Sequence, residues 1–361
     1  MSLAGRALLR ATAPVLAGAL AVTLAAEVPS PATAAPVVRA AASAASKGVD
    51  VRVATFNVQS VSVDKRAGNR RPWRDRRGTV ISEILSEHVD VIGLQELNPS
   101  NVFRRRLVEG SNQMLDLRNG LNRRGGRYAL NSNAAANCLN PVSTYHCRPR
   151  NRGASSGERI LYNTRTMTLV RRGFVRYSRH SNYIKTPGLA YVVLRSKLNG
   201  HRFMFTTTHL DPPNRSVRAS QWRQLIRAVK RIKGNLPVIS VGDFNTQKFD
   251  PMTRTYLPAM RRAGFGDVLN QQYRVNPSRG VRAEHRVNAW INSNNRLSRD
   301  VRSYGYYGNH SKTGNSIDYI FASNSMRVKE FKVVLNFDPK TLRVRGTLPS
   351  DHNMLRATVV I

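Results

Sequence analysis

Apolar, β-branched runs punctuate this chain at 50–56, 89–94, 159–163, 189–195, 203–208, 236–241, 317–322 and 355–361, and most of them end abruptly on a polar side chain. Runs such as V-D-V-I-G-L and L-P-V-I-S-V-G lack the wet face of an ordinary antiparallel strand, so they predict strands buried on both sides. Short polar motifs stand at their ends: T-F-N at 55–57, Q-E at 95–96, T-H-L at 208–210, G-D-F-N at 242–245, I-D-Y at 317–319 and S-D-H at 350–352. They place Asn57, Glu96, His209, Asp243, Asn245, Asp318, Asp351 and His352 near strand tips. A carboxylate at the end of a buried strand is costly unless paired. A metal ion or a phosphate is the compensating partner these motifs predict.

Between the runs lie helical patterns. Val80, Ile81, Ile84 and Leu85 recur at helical spacing within 76–88, as do Met114, Leu117 and Leu121 within 111–124 and Trp222, Leu225, Ile226, Val229 and Ile232 within 217–233. Each set makes one apolar face and belongs to the core. Strands mixed with helices, without a glycine-rich nucleotide loop, predict a layered α/β fold rather than a dinucleotide-binding one. Three polar, basic segments, 62–77, 131–156 and 270–312, read as long surface loops. Loops of that length are commonly functional, so they are candidates for substrate contact, with a solvated basic surface as the alternative.

The chain opens with Arg6 and Arg10 ahead of an Ala-rich run and small residues near Ala32-Thr33-Ala34. This predicts a secretory signal over 1–35, a disordered stretch over 36–48 and a single catalytic domain over 49–361, hence an extracellular protein. The formal net charge of +37 implies an acidic partner. Most of the cations are arginine, whose planar fork suits phosphate. Cys138 and Cys147 sit in a loop with few apolar anchors, and in an exported protein they predict a disulfide.

The motifs also carry chemistry individually. Asn57 and Glu96, with Asp351 as a third oxygen donor, form the hard-oxygen set that Mg²⁺ accepts. Asp243 is a candidate to orient or deprotonate a water, and Asn245, two residues on, to hold a phosphoryl oxygen. His352 with Asp318 as its orienting carboxylate would favour an imidazolium able to bind an oxyanion. His209, alone at a strand end, reads as a satisfied structural side chain.

In order, F-N, Q-E, E-R-I-L-Y, T-H-L, G-D-F-N, S-I-D-Y-I-F and S-D-H resemble the endonuclease/exonuclease/phosphatase superfamily, most closely its deoxyribonuclease I-type secreted bacterial nucleases. The resemblance runs from about Val51 to Ile361. It implies a four-layer α/β sandwich, two packed mixed β-sheets flanked by helices, and Mg²⁺-dependent hydrolysis of phosphate esters, with Mn²⁺ or Ca²⁺ as alternative ions. It assigns Asn57, Glu96 and Asp351 to metal, Asp243 to water activation, Asn245, His209 and His352 to the phosphate, and Asp318 to His352. Glu158, ahead of the strand 159–163, matches an acid that supports a catalytic histidine in nuclease members. The expected enzyme is a monomeric, secreted, non-specific nuclease acting on DNA, with RNA as a further substrate. A sphingomyelinase-like phospholipase working at a membrane surface, or a phosphatase of small esters, is the alternative. The clusters Trp290-Ile291 and Tyr304, Tyr306 and Tyr307 are the candidate exposed aromatics for either base stacking or membrane insertion.

Overall fold

The structure is a computed structural model that describes residues 48–133, 157–181, 187–247, 250–269, 281–305 and 313–361. The expected signal segment, the disordered stretch up to residue 47 and the Cys138–Cys147 pair lie outside the described residues. Two mixed sheets form the centre. The seven-stranded sheet runs β10 (Ala283–Val287), β12 (Arg327–Val334), β13 (Met354–Val360), β1 (Asp50–Asn57), β2 (Val91–Gln95), β4 (Arg159–Asn163), β3 (Tyr128–Leu130). The six-stranded sheet runs β5 (Met167–Arg176), β6 (Gly188–Ser196), β7 (Arg202–His209), β8 (Val238–Asp243), β11 (Asp318–Ser323), β9 (Phe265–Asp267). In each sheet one central pair is parallel, β1 with β2 and β7 with β8, and these strands carry the most continuous apolar runs.

Side-chain alternation builds the layers. On β1, Val51 and Val53 enter the core between the sheets, where they join Phe203, Phe205, Ile239, Val241 and Ile320. Ala54 and Phe56 point the other way, into a cluster with Val80, Ile81 and Ile84 of α1 (Trp73–Ser86) and Met114, Leu117 and Leu121 of α2 (Gln113–Arg123). The far face of the other sheet is covered by α3 (Arg215–Lys233) and α4 (Pro251–Arg262), through Trp222, Leu225, Tyr256 and Met260 packed on Phe244, Tyr319 and Phe321. The result is helix, sheet, sheet, helix: the four-layer sandwich.

Local signals set the helix ends. Asn112 accepts the Leu115 N–H at 3.0 Å, Asn214 the Val217 N–H at 3.1 Å and Asp250 the Met252 N–H at 2.8 Å, each satisfying an otherwise orphaned donor. Pro251 starts α4, where its missing N–H costs nothing. Gly93 is required where the sheets touch: a Cβ there would lie 2.5 Å from Val241 Cγ2 and 2.6 Å from Thr207 Oγ1. Beside it Gln95 Nε2 donates to Thr207 Oγ1 at 2.9 Å and to Thr55 Oγ1 at 3.1 Å, so the dry core ends in a polar layer just below the strand tips.

Two of the expected surface loops are partly framework. The segment 62–77 gives way to α1 at Trp73, and Arg76 and Arg77 are buried, because their guanidinium groups find carbonyls and carboxylates inside. The segment 270–312 supplies β10, and Trp290, Ile291 and Tyr304 pack into the inter-sheet core. Those aromatics are therefore core residues, unable to stack on bases or enter a bilayer; Tyr306 and Tyr307 lie outside the described residues. Strands β3, β5, β9, β10 and β12 and helix α4 also escape the sequence reading. They are short, or alternate with charged residues, so no continuous apolar run announces them.

Candidate active site

Parity along the strands decides which side chains meet. Asn57 follows Val51, Val53 and Thr55 on one face of β1; His209 follows Phe203, Phe205 and Thr207; Asp243 follows Ile239 and Val241; Asp318 precedes Ile320 and Ala322. Glu158 likewise shares the face of Ile160. All continue the inter-sheet face, so they converge where the two sheets open to one end of the sandwich.

Asp243 is the hub. Its Oδ2 accepts a hydrogen bond from Asn57 Nδ2 at 3.1 Å and stands 3.5 Å from His209 Nε2 and 3.7 Å from His352 Nε2. Its Oδ1 accepts the Asn245 N–H at 2.9 Å. Asn57 Nδ2 also donates to Glu96 Oε1 at 3.1 Å, and the other Glu96 oxygen accepts the Ser60 N–H at 3.1 Å. Asp318 Oδ2 lies 2.8 Å from His352 Nδ1. Asp351 joins through Ser350, whose hydroxyl donates to the Asn57 carbonyl at 2.7 Å with Asp351 Oδ1 3.1 Å away. Asn245 Nδ2 donates to the Leu210 carbonyl at 2.9 Å. Glu158 is buried just ahead of β4, whose first residue, Arg159, pairs with Leu94 of β2. The structure thus gathers the Asn57, Glu96, His209, Asp243, Asn245, Asp318, Asp351 and His352 of the sequence reading at one end of the sandwich.

Backbone strain is concentrated in the same place. Glu96 has φ 58° and Asn245 φ 47°, left-handed conformations that cost little for Asn and more for Glu. Such residues persist only where their surroundings over-determine them, at about 1–3 kcal/mol each. Around Glu96 the Ser60 N–H and the bond from Leu97 N to the Gly157 carbonyl, 3.0 Å, provide that constraint. Gly242, φ 151°, permits the close approach of β8 to β7, since a Cβ would fall 2.2 Å from the Thr208 carbonyl oxygen.

The electrostatics follow from crowding acids in a dry place. Burial pushes the Asp318 carboxyl above its ordinary value; His352 opposes this and Asp243 adds to it. For His352 burial alone would strip the proton, but Asp318, Asp243 and Asp351 outweigh it and hold the imidazole well above its usual range. Asp243, Asp318 and His352 offer ligand atoms within 4.8 Å of one another. The expected metal set borders this group without being gathered to ligating distance itself: Asn57 turns Nδ2, not its amide oxygen, to Glu96 and Asp243, while the carboxylates of Glu96 and Asp351 are the hard oxygens that a divalent oxygen-seeking ion takes.

Several participants are invisible to motif reading. Arg76, 1% exposed, donates to the carbonyls of Val58 at 2.5 Å, Gln59 at 2.6 Å and Pro349 at 2.8 Å, clamping the exits of β1 and the approach to Ser350. Burial lowers its pKa to about 10 against the pull of Asp64, Asp351 and Glu96. The run Asn292-Ser293-Asn294-Asn295 stitches the S-D-H motif down: Ser293 Oγ accepts the Asp318 N–H at 3.2 Å, Asn294 Nδ2 is 3.3 Å from His352 Nε2, and Asn295 N donates to the Asp351 carbonyl at 2.8 Å. An N-S-N-N sequence reads as loop, and no motif marks these residues.

Residues 54–352 match the family model described as Endonuclease/Exonuclease/phosphatase family. Nocturnin of Drosophila melanogaster is 26% identical over 226 residues, covering 60% of this chain and 32% of that protein, so the chain spans about a third of that relative. Among solved structures, a mannosyl-6-phosphatase of Bacteroides thetaiotaomicron superposes with a TM-score of 0.58 at 18% identity, over 86% of this chain and 100% of that one. TDP2 of D. rerio, solved with a single-strand DNA product, superposes with a TM-score of 0.52 at 16% identity, over 86% and 98% of the two chains. At such identities the structural likeness establishes the fold, and the family match over most of the chain establishes kinship. The chain belongs to the endonuclease/exonuclease/phosphatase family, whose enzymes are hydrolases that generally use divalent metal ions.

Proposed function

We propose that this protein is a secreted, Mg²⁺-dependent nuclease that hydrolyses DNA, and RNA as a second substrate, with little sequence preference. The observation that carries the reading is the convergence of His209 Nε2, His352 Nε2 and Asn57 Nδ2 on one carboxylate oxygen of Asp243, in a chain of net charge +37. Phosphate contacts from so basic a surface give affinity without sequence readout. Export rests on the basic, Ala-rich opening of the sequence.

The side chains divide the work. Asp243 takes the proton of the attacking water, with Asn57 and the Asn245 N–H holding its carboxylate in place. His352, protonated and oriented by Asp318, meets a phosphoryl oxygen through Nε2, and His209 meets a second. Asn245 positions the phosphate, and Glu158 supports the histidine side of the site. Glu96, Asn57 and Asp351 would hold Mg²⁺, which in such a place supplies neutralisation of charge on the phosphate and leaving oxygens.

The test is incubation of the oxidised, exported protein with supercoiled plasmid in Mg²⁺ or EDTA, alongside Asp243→Asn, with sphingomyelin liposomes and a sugar phosphate in parallel. Metal-dependent nicking that disappears in Asp243→Asn while DNA binding persists is the expected result. Intact plasmid with hydrolysis of liposomes or of the sugar phosphate would overturn the nuclease reading and leave the family assignment standing.

A further inference from the structure

Beside His352 lies a cleft of about 210 Å³ lined by Gln247, Asn292, Asn294, Arg296, Asn315 and Ile317. It is smaller than the roughly 300–1,000 Å³ of pockets for drug-sized ligands, so it suits one ring system rather than an extended molecule. Four of its six residues carry primary amides, and among the described residues no acid lines it. Such a wall does not attract cations. Beyond the bonds these amides make within the wall, an amide oxygen has a second lone pair and an amide NH2 a second proton to meet a neutral, flat, polar edge.

The cleft is built, not incidental. Asn292 Oδ1 accepts the Asn315 N–H at 2.6 Å, the Asn292 carbonyl accepts from Asn353 Nδ2 at 2.9 Å, and Ser293 Oγ accepts the Ile317 N–H at 3.1 Å. Asn315 Nδ2 is 3.4 Å from Gln247 Oε1, which bridges the G-D-F-N side of the cleft to the Asp318 side. Asn294 reaches His352 Nε2 at 3.3 Å, so the cleft opens onto the atom assigned to the phosphate. Arg296, exposed and at φ 52°, stands at the rim, where its guanidinium suits a neighbouring phosphate.

We propose that this amide-lined cleft is a subsite for the nucleobase of the nucleotide adjoining the scissile phosphate; the inference rests on the nuclease reading above. An Asn or Gln amide can meet the donors and acceptors of any base edge, adenine N6 and N7 among them, and Ile317 supplies an apolar surface against the ring. A base bound here sets the distance between its own phosphate and His352. The site thus favours strands with bases over bare sugar-phosphate chains.

The experiment compares kcat/KM on a short single-stranded oligo-dA, on an abasic strand of the same length and on mannose 6-phosphate, for the wild type, Gln247→Leu and Asn315→Leu. Gln247 is exposed, so its variant keeps the test valid where Asn315→Leu fails to fold. The expected result is a loss of about 10-fold on oligo-dA in each variant, the scale of one base-edge contact, with the abasic strand unaffected. Equal losses on both strands, or no loss on either, would overturn the subsite. So would a loss confined to the sugar phosphate, which would make the cleft a sugar site. A wild type inert on both strands would overturn the nuclease reading itself, and is distinguishable from failure of the subsite alone.

Discussion

His352 and Asp318 meet across the two sheets: Nδ1 of the one, just ahead of β13 in the seven-stranded sheet, lies 2.8 Å from Oδ2 of the other, the first residue of β11 in the six-stranded sheet. Neither sheet alone can form this pair. The inter-sheet core therefore fixes the orientation of the imidazole, and the buried carboxylate keeps it protonated.

Asp318→Asn keeps the volume and removes the charge. We expect kcat for plasmid nicking to fall by about 10²–10⁴, the worth of a well-placed acid or base, with KM changed far less. Initial rates over a range of plasmid concentration check this. A variant with wild-type kcat would show that the dyad is structural.

Arg76→Met leaves the carbonyls of Val58, Gln59 and Pro349 without their shared donor. Each buried acceptor left unsatisfied costs about 1–3 kcal/mol, a loss that chemical denaturation would read directly. The salt dependence of DNA binding should not change, because Arg76 is buried and touches no solvent-borne phosphate.

Arg104 and Arg105, exposed on the 3-10 turn Asn101–Arg106 after the Glu96 motif, are the opposite case. Replacing both with Ala should weaken DNA binding and reduce the slope of log K against log salt by roughly one for each lost phosphate contact, with fold stability unchanged. Binding titrations at several salt concentrations provide the check; a constant slope would mean the turn is merely solvated.

Glu83 makes stability depend on pH. Its carboxyl is buried in α1, its Oε2 has no hydrogen-bond partner among the described residues, and burial, with Glu87 adding, raises its pKa to about 8 from 4.5. The folded state thus holds a proton that the unfolded chain releases above 4.5. Its contribution to stability is full below about 4.5 and is lost as pH rises through about 8. Glu83→Gln should flatten that decline, giving a higher Tm than the wild type above pH 8 and little difference below 4.5. Thermal melts across that range test it.

The site was legible in outline because its residues sit where apolar strands stop. Asn57, Glu96, Asp243 and Asp318 interrupt or end continuous apolar runs, and burying a charge there needs a reason that packing alone does not give. Arg76 and Asn294 were not legible. An arginine in R-P-W-R-D-R-R looks solvated until its helix is docked, and an asparagine in N-S-N-N looks like a turn until β10 and the segment after it are folded against the S-D-H motif. Within 270–312, β10 hides for the same reason: it alternates with charge, so its pairing with β12 is a property of the sheet.

By itself the sequence determined the strand faces, because side-chain direction alternates with period two and cannot be altered by anything distant. It thereby fixed that Asn57 shares a face with Val51 and Val53, His209 with Phe203 and Phe205, Asp243 with Ile239 and Val241, and Asp318 with Ile320, while packing made this the face between the sheets. Two packed sheets and a His352–Asp318 pair were already expected from the motifs; only the tertiary structure decided that Asn294 closes on His352 from the segment after β10 and that Arg76 turns inward. Those contacts join residues as far apart as 273 positions, as between Arg76 and Pro349, and such partners are chosen by packing and by the need to satisfy buried polar groups rather than by local chain geometry.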